Sequence, residues 1–70
     1  MIDLNPGDSI VRAMDGLKQG EYWRNDGHVT AVSDTQIVCT VFVDVPRSMT
    51  FDRVTGVNVY GKEYGWLESK

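Results

Sequence analysis

The sequence is poor in the residues that carry covalent and metal chemistry: 70 residues include one cysteine, one histidine and two prolines. A lone Cys39 cannot form an internal disulfide, which points to a reducing compartment. It lies inside a β-branched run and reads as a buried structural thiol. One Cys and one His fall short of the roughly four ligands of a zinc site, so no metal is expected. Nucleophilic catalysis needs Ser or Cys beside a base, and His28 has no evident partner. It follows a turn signal and reads as a surface or capping residue. Gly61-Lys62 lacks the glycine-rich loop of a phosphate cradle. Asp44 and Asp52 could pair as carboxylates, but acids on strands are usually solvated. No catalytic residue and no cofactor are expected, and the chain reads as a non-enzyme.

Basic charge is also scarce. Seven Lys and Arg stand against ten Asp and Glu, a net charge of −3. Non-specific DNA binding needs a basic footprint that this composition does not supply. The acids are spread along the chain rather than blocked, so mimicry of nucleic acid is not signalled either. No apolar run approaches the roughly 18 residues of a membrane span. The first residues, MIDLNPGDS, have neither the basic flank nor the apolar core of a signal peptide. Together these features predict a soluble cytoplasmic protein with no membrane contact.

What is present is strand-forming. Gln36 to Val43 contains Ile37, Val38, Thr40, Val41, Phe42 and Val43, side chains that suit a pleated surface better than a helix. Period two sets Ile37, Cys39, Val41 and Val43 on one face and Val38, Thr40 and Phe42 on the other. With both faces apolar, this strand is expected to be central and covered on both sides. Val29 and Val32 cannot share a face in a regular strand, so a bulge is expected between them. Ser33-Asp34-Thr35 makes a tight turn, which forces antiparallel pairing.

The rest of the chain follows in order. Pro6-Gly7-Asp8 is a turn. Ser9 to Met14 is a first strand, with Ile10, Arg12 and Met14 on one face. Asp15 to Gly20 is a polar loop. Asn25-Asp26-Gly27 is a strong turn signal and is expected to break the chain between Glu21–Trp23 and the main strand. Pro46 should end the central strand region, with the next strand at Met49–Arg53, Met49 and Phe51 inward. Thr55-Gly56 is a turn with Gly56 at positive φ. One turn of 3₁₀ helix fits between Val54 and Tyr60. Trp66-Leu67 forms a last short strand, with Trp66 inside. Ile37, Val41 and Phe51 are expected core residues.

Five short strands in one small domain, residues 1–70, give an all-β antiparallel fold, and closure into a small barrel would remove exposed edges. The strand and loop order resembles the small five-stranded SH3-like barrels. FDRVTG…YGWLES, with VTAVSDTQIVC before it, resembles a pattern in small uncharacterised β-barrel proteins of phage, prophage and bacteria. There a strand ending in Arg is followed by a Thr-Gly turn and a closing aromatic strand. The resemblance spans roughly residues 27 to 68 and implies a phage or prophage origin and a host cytoplasm, without an activity to transfer. SH3-like barrels host many binding roles.

Tyr22, Trp23, Tyr60, Tyr64 and Trp66 are many rings for so small a core, and rings with Arg are enriched at binding hot spots. Arg12, Arg24, Arg47 and Arg53 are available to border them. The partner-binding surface expected here is Tyr22, Trp23 and Arg24, with Arg47 or Arg53 as neighbours. Alternation sends Tyr22 and Trp23 to opposite faces, one into the core and one outward. The function expected is protein binding, as a phage-encoded modulator or inhibitor of a host protein. Two alternatives are a nucleic-acid-binding barrel, less favoured on charge, and a subunit that self-assembles through an open edge as a homo-oligomer.

Overall fold

The computed structural model describes residues 1–68. Five antiparallel strands form one open sheet: β1 (Ser9–Asp15), β2 (Tyr22–Val32), β3 (Gln36–Val43), β4 (Val45–Asp52) and β5 (Trp66–Glu68), in the order β4-β3-β2-β1-β5. The sheet itself does not close into a barrel. Its two edges are approached by one segment: Val57 accepts from the Asp52 amide, Val59 donates to Thr50, Asn58 donates to Gly65, and Gly56 accepts from Leu67. Isolated bridges Phe51–Asn58 and Val57–Trp66 mark the same crossing.

Residues directly opposite in an antiparallel ladder share a face. The pairs Ile37–Phe51, Cys39–Met49, Val29–Cys39 and Gly27–Val41 therefore define the inner face. There Ile10, Val29, Ile37, Cys39, Val41 and Phe51 form the core, with Ile2, Leu4, Val32, Val43, Met49 and Leu67 packed against it. The expected core residues Ile37, Val41 and Phe51 are among them. Burial pushes the Cys39 thiol up to about 11, because the low-dielectric surroundings penalise the thiolate.

The bulge falls between Val29 and Ala31. It adds Thr30 to β2 and returns Val32 to the inner face opposite Ile37. The Ser33–Gln36 turn closes with Ser33 donating to the Gln36 carbonyl at 2.9 Å. Gly56 has φ 77°, and the Asp52 carboxylate accepts from the Val54 and Thr55 amides at 2.7 and 3.0 Å. Those bonds hold the Asp52 carboxyl below its ordinary range.

Several expectations are corrected. Asn25-Asp26-Gly27 is not a turn: β2 runs through it, with Gly27 paired to Ile10 on one side and Val41 on the other. A Cβ on Gly27 would lie 2.4 Å from the Thr40 carbonyl oxygen and 3.1 Å from Ile10 Cδ1. The glycine serves close strand approach, not a positive φ. Glu21–Trp23 is thus not a separate piece; Tyr22 and Trp23 begin β2.

The fourth strand starts at Val45, not Met49, and includes Pro46. β4 is an edge strand in this region, where a missing N–H costs little. The reversal between β3 and β4 turns on Asp44, with φ 63°, a conformation Asp tolerates better than most residues. β3 is second from the edge rather than central, and its outer face is open: Phe42 is exposed. The 3₁₀ turn lies at Lys62–Tyr64, downstream of the expected position.

Candidate functional site

β1 pairs with β2 on one side and β5 on the other. Ala13 stands opposite both Arg24 and Trp66, and Asp15 opposite Tyr22. The outer face over β1 therefore collects side chains from distant parts of the chain, and Ala13, the small residue between them, is fully buried. Tyr22 and Trp66 meet edge to face, ring centroids 6.2 Å apart at 86°, a geometry favoured by ring quadrupoles.

Each ring carries a cation. The Arg24 guanidinium carbon is 5.9 Å from the Tyr22 centroid, and Lys62 Nζ is 5.6 Å from that of Trp66, both within cation–π range. Arg24 Nε also donates to Glu68, 2.8 Å to Oε1 and 3.1 Å to Oε2. The hydrogen bond and charge of Glu68 raise the Arg24 pKa further. A groove of about 370 Å³ runs beside the strip, lined by Asp15, Tyr22, Thr55, Val57, Lys62 and Trp66.

The five sequence-predicted residues separate. Tyr22, 51% exposed, and Arg24 lie together on the strip. Trp23 lies opposite Met14 on the inner face. It does not anchor in the core: it is 44% exposed, and its indole N–H donates to Glu21 Oε1 at 2.7 Å. Alternation does separate the two rings, but neither is buried: Tyr22 lies on the outer face, and on the inner face Trp23 has no β3 residue beside it, since that pairing begins at Gly27.

Arg47 is exposed on β4, across the sheet from the strip. Arg53 is engaged in the scaffold. Its Nε donates to the Ile2 carbonyl and its Nη1 to the Ser33 carbonyl at 3.2 and 2.8 Å. Its backbone bonds Ile2 and Thr35 as well. Trp66, expected inside, is half-buried in the strip.

Sequence reasoning missed Lys62 and the role of Trp66 in the strip, since only the β1–β5 pairing brings them to Tyr22. It also missed a second concavity, of about 380 Å³, on the other side of the 3₁₀ turn. Arg12, Met49, Asn58, Tyr60, Glu63 and Tyr64 line it. Arg12 is only 5% exposed. Its Nε and Nη2 donate to the Tyr64 carbonyl at 3.0 and 2.6 Å, and its Nη1 to Asn25 Oδ1 at 3.1 Å. Burial lowers its pKa. The available signal was its phase with Ile10 on the inner face of β1.

Among the described residues, no group of three His, Cys, Asp or Glu side chains could hold a metal ion, and no helix is long and apolar enough to cross a membrane. No protein-family model, curated protein or solved structure matches the chain.

Proposed function

We propose that this protein is a non-enzymatic protein-binding module that grips its partner with the Tyr22–Trp66 strip, Arg24 and Lys62 flanking. One observation carries the reading: two part-exposed rings in edge contact, each with a cation at its face, border a groove on one outer surface. Rings held in water by their own neighbours are already ordered, so little side-chain entropy remains to be lost on binding. The matching partner surface brings an apolar side chain to the groove and a carboxylate to Lys62.

Nucleic acid is the rival reading, and the same geometry weighs against it. Base stacking needs free ring faces, and here Arg24 and Lys62 stand at the rings. Arg24 is neutralised by Glu68, and Asp15 lines the groove. A homo-oligomer would instead use the free part of the β4 edge, where Pro46 removes one donor.

The proposed setting, a phage- or prophage-encoded modulator or inhibitor acting on a host protein in the cytoplasm, rests on the resemblance carried by FDRVTG and YGWLES. The finer fold reading is an SH3-like barrel. The strand order and the two bridges across the gap between β4 and β5 support it.

The test is capture of a partner from bacterial lysate followed by affinity measurement on Tyr22→Ala, Lys62→Ala and Arg47→Ala, each confirmed folded. Tyr22→Ala is expected to cost about 2 kcal/mol, roughly thirtyfold in affinity. Arg47→Ala should stay within about twofold. Equal affinity for Tyr22→Ala and the parent would sink the strip as the site. Salt-sensitive binding to single-stranded RNA or DNA that depends on Lys62 would instead favour the rival.

A further inference from the structure

The second concavity has an unusual polar floor. Arg12 and Asn58 are the two polar or charged residues buried among those described, at 5% and 6% exposure, and both line it. A buried cation is costly unless paired, yet no carboxylate among the described residues lies within ion-pairing distance of Arg12. Its three bonds go to a backbone carbonyl and a neutral amide. A guanidinium has five N–H groups, so two remain without a protein acceptor.

Asn58 adds to this. Its Oδ1 accepts from the Tyr60 amide at 3.0 Å, which fixes the orientation of the side-chain amide and leaves its NH₂ group as the free end. That NH₂ has no acceptor among the described residues. Every fully enclosed side-chain nitrogen and oxygen among the described residues has a partner, so the Asn58 NH₂ is reached by solvent, and the cleft lining carries a free donor and positive charge. Met49, Tyr60 and Tyr64 supply apolar walls, with Glu63 also lining the cleft. Its volume, about 380 Å³, falls in the range of small-ligand sites.

We propose that this cleft binds a carboxylate carried on an apolar body, the anionic end on Arg12 and Asn58 and the body against Met49, Tyr60 and Tyr64. The carboxylate supplies the acceptor oxygens that both donors lack and the countercharge that Arg12 lacks. Charge-assisted bonds of this kind are the strong ones, and guanidinium matches carboxylate in shape. A free small acid and a peptide C-terminus share this chemistry. The site is separate from the strip: Lys62 faces the strip groove, while Glu63 and Tyr64 of the same 3₁₀ turn line the cleft.

The experiment is a nitrogen-15 NMR titration of the full chain with benzoate, with neutral benzamide, and with a short apolar peptide ending in a free carboxylate. Benzoate is expected to shift the Arg12 Nε–H and Asn58 side-chain signals along a saturating curve, with Kd on the order of 1 mM, and benzamide to leave them in place. Saturation by the peptide alone assigns the carboxylate to a chain terminus and still supports the site. Asn58→Asp keeps an oxygen for the Tyr60 amide and replaces the cleft's free NH₂ donor with a fixed negative charge on the same lining. It should fold and bind benzoate about tenfold more weakly or worse. Glu63→Gln, at an exposed position, should bind benzoate about two- to fivefold more tightly as repulsion is removed, and it carries the charge test should Asn58→Asp fail to fold. No saturable shift with benzoate or peptide, or equal shifts with benzoate and benzamide, overturns the proposal.

Discussion

At the residue scale, Cys39 shows how burial replaces reactivity. The side chain is fully buried between β2 and β4, and its pKa rises from an ordinary 9 to about 11. The folded state thus holds the thiol proton more tightly than the unfolded chain does. The sign follows: this contribution to stability is complete below about pH 9 and is lost as pH rises towards about 11. Native protein should accordingly resist thiol alkylation at pH 8, and the rate should rise only when denaturant opens the fold. Rapid labelling of the native protein at that pH would mean Cys39 is not enclosed as described. The thiol's burial was legible in the sequence from its place among β-branched neighbours. Arg12 was harder, because a lone Arg in a strand usually reaches solvent, and it is held inside by the carbonyl of Tyr64, far along the chain, together with Asn25 Oδ1.

At the element scale, β2 decides how the sheet is built, and it is where reading the sequence failed most. Asn25, Asp26 and Gly27 each favour turns, but pairing on both sides of Gly27 outweighs local preference, as tertiary context often does. At Gly27 the β3 backbone leaves no room for a Cβ, which would lie 2.4 Å from the Thr40 carbonyl oxygen and 3.1 Å from Val41 Cα. Gly27→Ala would push a methyl group against the Thr40 carbonyl, a backbone atom that cannot rotate away. Overpacking of this kind costs about 1–3 kcal/mol, and each kcal/mol lowers Tm by roughly 4–8 °C in a domain this small. Thermal denaturation followed by circular dichroism checks it; an unchanged Tm would restore the turn reading. By contrast, β1, β3, the Ser33–Gln36 turn, the bulge and Gly56 were legible, since each follows from side-chain period or from one residue's backbone freedom. Pro46 misled because sequence does not say which strand is an edge. Of the strip, Tyr22 and Arg24 were legible as a local run, while Trp66 and Lys62 depended on a pairing between the two ends of the chain.

At the scale of the whole molecule, the sheet has a firm side and a soft side, and both candidate sites lie on the soft one. β3 is flanked by β2 and β4 and carries Ile37, Cys39 and Val41 at zero exposure. β5 has three half-buried residues and pairs along β1 alone, and the segment from Gly56 to Gly65 is held by isolated bridges, a single 3₁₀ turn and the Arg12 bonds to the Tyr64 carbonyl, with no buried apolar side chain of its own. Regions with few buried apolar side chains open locally at lower free energy than the core. Backbone amides of Asn58, Val59 and Leu67, which bond Gly65, Thr50 and Gly56, should therefore exchange faster than that of Cys39. Their opening should depend weakly on denaturant, since little surface is exposed. A partner bound to the Tyr22–Trp66 strip ties β5 to β2 across β1, so it should slow Leu67 exchange more than its effect on Cys39. Native-state hydrogen exchange with and without the partner measures this. Uniform exchange across all four amides, with the full denaturant dependence of global unfolding, would mean that the segment between the edges is as firm as the core. β5 and the segment beside it would then open only when the whole domain unfolds.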